Sequence, residues 1–328
     1  MNKLFNLPKV SFIVICHNFE DYISDCLKSV KFQNYKNLEI IIVDDFSQDN
    51  SPKIIEDFTK KNRDNVKFIQ NQKNIGQLAS FLEGLKYATG EFICSIDGDD
   101  ILFEDYASVH IDAHLNTNVA LTSCKPIDID ENSVIHSINS SEFPIKKSSI
   151  EIEYKNYKEL EEYCYAKDVK KLKTEVKILS RKKYNFATWH WSPTTSAMLR
   201  KSVCELLLYI KEPENIKITA DKFIFSFAHL IGSSALIDKP LYAYRRHKTN
   251  YSLANQVMGS CRYLRTKTQK NYIRNNMFIR QTMLLFVLAN YRVFSEKLNK
   301  TNVKYLVKKI VFSIDFETFK SAIKSLFI

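Results

Sequence analysis

Phe92-Ile93-Cys94-Ser95-Ile96-Asp97-Gly98-Asp99-Asp100 is an apolar run that ends in three carboxylates within four residues. Phe92 to Ile96 is short, rich in β-branched and aromatic side chains, and entered through Gly90-Glu91, which predicts a buried strand. The acids then fall where that strand leaves its sheet. In an open α/β sheet the carboxyl ends of the strands are where ligands bind. Clustered carboxylates repel one another unless a cation sits among them. Oxygen ligands on a tight turn suit a hard divalent ion, Mg²⁺ or Mn²⁺, which also holds phosphate oxygens. Taken alone, a solvated acidic turn around Gly98 accounts for the same residues.

The chain before this stretch alternates strand and helix signals. Val10 to Cys16 predicts a first strand. A helix follows over about Glu20 to Phe32, with Ile23, Cys26, Leu27 and Val30 on one face. Leu38 to Val43 predicts a second strand ending in Asp44-Asp45, and Ser51-Pro52 opens the next helix. Val66 to Ile69 predicts a third strand. Asn74-Ile75-Gly76 predicts a turn, and Gln77 to Ala88 a helix with Leu78, Phe81, Leu82 and Leu85 inward. This order predicts a parallel sheet with right-handed crossovers, two of whose strands end in acids on the same rim.

Beyond it, a helix is expected over about Glu104 to Leu115 and a strand over Val119 to Ser123. Tyr154 to Lys183, dense in charge of both signs, reads as a helical excursion. Thr194 to Leu199 reads as a strand and Asp221 to Ile231 as a helix.

Composition bounds the rest. A chain of 328 residues with 45% hydrophobic content allows one large domain, or one domain plus a smaller appendage. The start is too polar for an export signal, and no apolar run is long enough to span a bilayer. Seven dispersed cysteines without C-x-x-C spacing read as reduced core thiols, so a cytoplasmic setting is expected. Positive charge is concentrated at the end: Arg245 to Ile328 holds 17 Lys or Arg against three acids, +14, in a chain of net +11.

Several stretches together resemble the family 2 (GT-A fold) glycosyltransferases. They are Pro8 to Asn18, Ile42-Val43-Asp44-Asp45-Phe46-Ser47-Gln48-Asp49, the Asn74-x-Gly76 turn, Ile96 to Asp100, and Pro240-Leu241-x-x-Tyr244-Arg245-x-His247 with Ser252. The resemblance implies an α/β fold, a Rossmann-like mixed sheet flanked by helices. Residues 1–252 form the GT-A domain, with 8–123 binding a nucleotide-diphosphate sugar and 124–252 the acceptor. Residues 253–328 are a basic, largely helical extension.

By the same resemblance Cys16, Asn18, Asp44 and Asp45 line the nucleotide pocket, with Asp45 accepting from the base. Asp97 lies near the ribose and shares the metal with Asp99, the direct ligand of Mn²⁺ or Mg²⁺. Arg245 closes over the diphosphate, and His247 is a further metal ligand or phosphate donor. The family inverts at the anomeric carbon, so a carboxylate must deprotonate the acceptor hydroxyl. Asp221 matches that base, although Ala220 replaces the Glu that usually precedes it. A helix cap is the competing role of Asp221. Phe81-Leu82 stand where many members carry Arg-Asn. Trp189 and Trp191 are candidates for stacking on an acceptor sugar, against a packing role beside Pro193.

The implied reaction moves a sugar from a nucleotide-diphosphate sugar to a saccharide or lipid-linked acceptor, in bacterial surface polysaccharide or glycolipid synthesis. A sugar nucleotidyltransferase would want a Gly-rich loop after the first strand, where Cys16-His17-Asn18-Phe19 stands instead. A degenerate member acting as an assembly partner at the membrane is the non-enzymatic alternative. No helix-turn-helix, zinc set or RNP-type segment points to nucleic acid. In the extension, lysines beside Leu306, Val307, Ile310, Val311, Phe312, Leu326 and Phe327 fit either a peripheral segment on the inner, anionic face of the cell membrane or a helical cap on the domain.

Overall fold

A computed structural model of the chain describes residues 6–137, 149–154, 172–184, 186, 189–216, 220–248, 250, 267–314 and 320. The expected alternation is present: β1 (Val10–Cys16), α1 (Ile23–Lys31), β2 (Leu38–Asp44), α2 (Ser51–Lys61), β3 (Val66–Gln70), α3 (Gln77–Leu85) and β4 (Phe92–Asp97). After a two-residue β5 (Ile101–Leu102) come α4 (Tyr106–Asn116), β6 (Leu121–Asp130), β7 (Ile135–Ser137), β8 (Ser149–Tyr154) and β9 (Leu172–Leu179). Then follow β10 (Ala197–Arg200), α5 (Lys201–Leu207), α6 (Ala220–Gly232) and β11 (Ser234–Arg246). Helices α7 (Lys267–Ala289), α8 (Tyr291–Leu298) and α9 (Lys300–Val311) complete the described chain.

One sheet runs in the order β3-β2-β1-β4-β10-β6-β11-β9-β8. β3, β2, β1 and β4 are parallel, whereas β10 is antiparallel to both β4 and β6, which makes the sheet mixed. Every residue of β1 is buried, as expected of a strand covered on both faces. Its side chains divide between two cores. Phe12, Val14 and Cys16 join α1 and α4 on one face, while Ile13 and Ile15 join α3 and α6 on the other.

Two expectations are corrected. Leu172 to Leu179 is a strand, not part of a helix. It pairs antiparallel with Ser234 to Ile237 of β11, turning Thr174 and Val176 inward. Thr194 to Ser196 is a single helical turn that precedes the strand starting at Ala197. In the extension, for which a membrane surface and a helical cap were both open, Leu306 and Ile310 turn inward. They are buried with Val303, Met283, Val287 and Phe294 in the core that also holds Phe223 and Phe227 of α6. Val307 and Val311 pack against that core, Phe312 is 79% exposed, and Leu326 and Phe327 lie outside the described residues. No described helix is long and apolar enough to cross a membrane. Cys16, Cys26, Cys94, Cys124 and Cys204 are buried free thiols, in keeping with core filling.

Candidate active site

The strand register brings the acids together. Cys16 is paired with Asp44 across β1 and β2, and Ile15 with Asp97 across β1 and β4, so both acid-ended strands stop at one rim. The Gly98 N–H donates to Ile15 O (2.9 Å), folding the turn against β1. A Cβ on Gly98 would stand 2.9 Å from that same carbonyl oxygen, so a side chain there would push the acids off the strand end.

On the β2 side, the acid pair is spent on organising its own surroundings. Asp44 is fully buried and Oδ2 accepts from Ser47 N (3.1 Å). Asp45 Oδ1 accepts from Asn71 Nδ2 (3.0 Å) and Ile75 N (2.9 Å), and Oδ2 from Gly76 N (2.8 Å). Asp45 therefore clamps the Asn74-Ile75-Gly76 turn, and a carboxylate oxygen with one acceptor site filled can take one further donor. Cys16 is buried, and its thiol is pushed up to about 12 by that burial, which makes it a neutral wall of the rim. Asn18 is exposed, in the left-handed region at φ 58°, with Oδ1 accepting from Gln48 N (2.8 Å).

On the β4 side the three carboxyls crowd. Asp97 Oδ1 accepts from Gln77 Nε2 (2.6 Å), and the Asp97 N–H donates to Thr195 Oγ1 (3.0 Å). Burial pushes the Asp97 carboxyl up to about 8, with the charges of Asp99 and Asp221 adding to the rise. Asp100 is fully buried, and burial with its two acidic neighbours holds it well above the usual carboxylate range. Asp99 Oδ2 accepts from His247 Nε2 (2.8 Å) and Asn250 Nδ2 (3.1 Å). Asp97 and Asp100, crowded and buried beside a third carboxylate, gain from a nearby cation, so the residues fit a hard divalent ion held by Asp99 with Asp97. Among the described residues no three His, Cys, Asp or Glu groups form a ready-made cage. The remaining ligands of such an ion would be phosphate oxygens and water.

Asp221 opens α6 as expected. Its Oδ1 accepts from Lys222 N (2.7 Å), and burial raises its carboxyl above the ordinary value. It is near enough to Asp97 for its charge to act there. Ala220, in place of the usual Glu, is buried in the core.

Other expected residues have different surroundings. Arg245 is 2% exposed, and its N–H reaches Asp100 Oδ1 (3.0 Å), its Nε Asp99 O (3.0 Å), and its Nη1 Asp130 O (3.1 Å) and Ser133 Oγ (3.0 Å). Its guanidinium braces the acid turn against the β6–β7 hairpin. His247 sits against Tyr22 with ring centroids 4.9 Å apart. Trp191 is 2% exposed and donates from Nε1 to Ser234 Oγ (3.0 Å), which is a core position. Trp189 is half-buried and stacks on Phe225 at 6.0 Å. Phe81 and Leu82 are core residues. Gln77, Thr195, Tyr22 and Asn250 support the acids without having been singled out in the sequence. Gln77 had one signal, its place directly after the Asn74-x-Gly76 turn.

Residues 11–167 match the sequence model described as glycosyl transferase family 2. The chain carries a family 2 glycosyltransferase domain. Within that domain lie the whole β1–β4 rim and the three acids of the β4 turn. Relatives include Bacillus subtilis EpsH, 44% identical over 99 residues, which is 30% of this chain and 28% of that protein. The poly-β-1,6-N-acetyl-D-glucosamine synthase of Staphylococcus epidermidis is 33% identical over 135 residues, 41% of this chain and 32% of that protein. The matched stretch thus spans about a third or less of these relatives' own length. The fold extends further than the sequence match. The crystal structure of S. aureus TarS 1–349 superimposes with a TM-score of 0.56 at 18% identity, covering 94% of this chain and 82% of that one.

Proposed function

We propose that the protein is an inverting, divalent-metal-dependent glycosyltransferase that moves a sugar from a nucleotide-diphosphate sugar to a saccharide or lipid-linked acceptor. The observation that carries this reading is that Asp97 and Asp99, at the end of β4 within the family 2 domain, stand with Asp221, at the start of α6 beyond that domain, close enough for the charge of Asp221 to act on Asp97. A divalent ion held there would stabilise charge on the departing nucleoside diphosphate. Asp99 and Asp97 hold the ion and the donor. Asp221, whose affinity for a proton is raised by burial, takes the proton of the acceptor hydroxyl. Gln77 fixes Asp97, and Arg245 fixes the backbone of Asp99. Nε2 of His247 becomes available to the metal or phosphate by releasing Asp99.

Bacterial polysaccharide synthesis is the setting suggested by the relatives, and a donor of N-acetylglucosamine is a first candidate because one of them is named for that polymer. The deciding measurement is Mn²⁺-dependent release of nucleoside diphosphate across a panel of nucleotide sugars and oligosaccharide acceptors. Release with no donor, with or without metal, would sink the reading. Contact with an anionic membrane is a lesser reading, supported by exposed Lys304 and Lys308 on α9 and exposed Phe312 directly after it. Co-sedimentation with anionic and neutral liposomes tests it; protein left in the supernatant by both refutes it.

A further inference from the structure

Phe46 directly follows Asp45 at the end of β2, and its backbone is in the left-handed region at φ 63°. A bulky aromatic residue is rarely found there, and such outliers persist only where their surroundings over-determine them. The surroundings here do so. Ser47 N donates to Asp44 Oδ2 (3.1 Å), Asn18 N to Ser47 Oγ (2.8 Å), Gln48 N to Asn18 Oδ1 (2.8 Å), and Gln48 Nε2 to Phe46 O (3.2 Å). Yet the fold makes little use of the ring. Phe46 is 42% exposed, belongs to neither hydrophobic core and, among the described residues, stacks on no other ring. A glycine would satisfy this backbone without strain. A strained backbone that presents an unpacked aromatic ring at the rim points to a ligand with a flat face.

Its position says which part of the ligand. β2 and β4 flank β1, so Phe46 stands two strand spacings, roughly 10 Å, from the Asp97–Asp99 turn. With the diphosphate and its cation at the β4 end, the ribose leads across β1 and the base arrives at the β2 end. Resting on the proposed donor, we infer that Phe46 is the platform on which the donor's nucleobase stacks, and so a residue that sets donor affinity through the base and not through the phosphates.

The test compares the full-length wild type with Phe46→Gly and Phe46→Tyr. Each is titrated by calorimetry with UDP, GDP and inorganic pyrophosphate in the presence of Mn²⁺, and each is melted without ligand. Phe46→Gly is expected to bind the preferred nucleoside diphosphate roughly tenfold more weakly, the size of one base–aromatic stack. Its pyrophosphate affinity should stay unchanged, and its melting midpoint should be equal or higher, because the strain is gone. Phe46→Tyr should keep wild-type affinity. The inference is overturned by unchanged nucleoside diphosphate binding in Phe46→Gly, by an equal loss for pyrophosphate, or by a lower midpoint showing that the fold needs the ring. Loss of transfer with intact donor binding would give the ring to the acceptor and overturn it too. If the wild type binds neither nucleotide, the glycosyltransferase reading itself falls, and this inference with it.

Discussion

Replacing Glu39 by Gln is expected to cost about 2 kcal/mol at neutral pH, and the cost should fade in acid. Glu39 is the second residue of β2 and gathers donors from two other segments. Lys9 Nζ (2.6 Å), Ser11 Oγ (2.6 Å), Thr89 N (2.6 Å) and Gly90 N (3.2 Å) all donate to it. It thereby fastens the starts of β1, β2 and β4, the three strands whose far ends carry the site. Burial alone would raise its carboxyl, but the donors, Lys9 foremost, outweigh burial and hold it at about 2 against an ordinary 4.5. At about 1.36 kcal/mol per pKa unit this is about 3 kcal/mol. Partial contact with solvent reduces it to about 2. The folded value is depressed, so the stabilisation is fully present above pH 4.5 and is lost as pH falls from there through about 2. Urea unfolding of wild type and Glu39→Gln at intervals from pH 7 to pH 3 measures it, and the gap should shrink by roughly half by pH 3. A gap under about 0.5 kcal/mol at pH 7, or one of constant size across the range, would refute the reasoning, since only an ionised acceptor gives that pH dependence.

Asp99→Asn is expected to abolish Mn²⁺-dependent binding of nucleoside diphosphate with little change in melting; equal affinity by calorimetry would remove Asp99 from the metal site. Asp221→Asn should keep donor binding and lose at least about a hundredfold in turnover, and near-normal turnover would reduce Asp221 to a helix cap. Asp97, raised by burial to about 8 from 3.8, binds its proton more tightly in the folded state, so stability should fall as pH rises through that window without metal. Melting at pH 5 and pH 8 checks this, and Mn²⁺ should remove the fall. Leu306→Ala should cost about 2–5 kcal/mol in urea unfolding, the usual range for a buried leucine, and a loss below about 1 kcal/mol would take α9 out of the core.

The central strands were legible because their burial on both faces leaves a plain mark: Val10 to Cys16, Leu38 to Val43 and Phe92 to Ile96 are nearly unbroken apolar runs. The acid rim was legible because carboxylates directly after such runs are few. Leu172 to Leu179 was not. Its spacing of Lys and Glu among Thr, Val and Ile suits a helix surface as well as a strand, and only pairing with Ser234 to Ile237, sixty residues on, decides it. Glu39 and Thr195 were illegible for a related reason. A lone polar residue gains its role from whatever the fold brings to it. The lysines and aliphatics of the extension satisfy a bilayer surface and a packed cap equally until Phe223 and Phe227 are placed opposite them.

That placement has a practical consequence for recombining relatives of this chain. The helix carrying Asp221 at its tip is held from behind by α7, α8 and α9, which lie beyond the residues that match the family. A chimera joined near residue 252 would bare the phenylalanines of α6 and loosen the seat of Asp221, however faithful its first half. The transplantable piece is the stretch from Ala220 through Val311, moved together, so exchange of C-terminal parts between relatives should give folded proteins when the crossover falls before α6 and fail when it falls after.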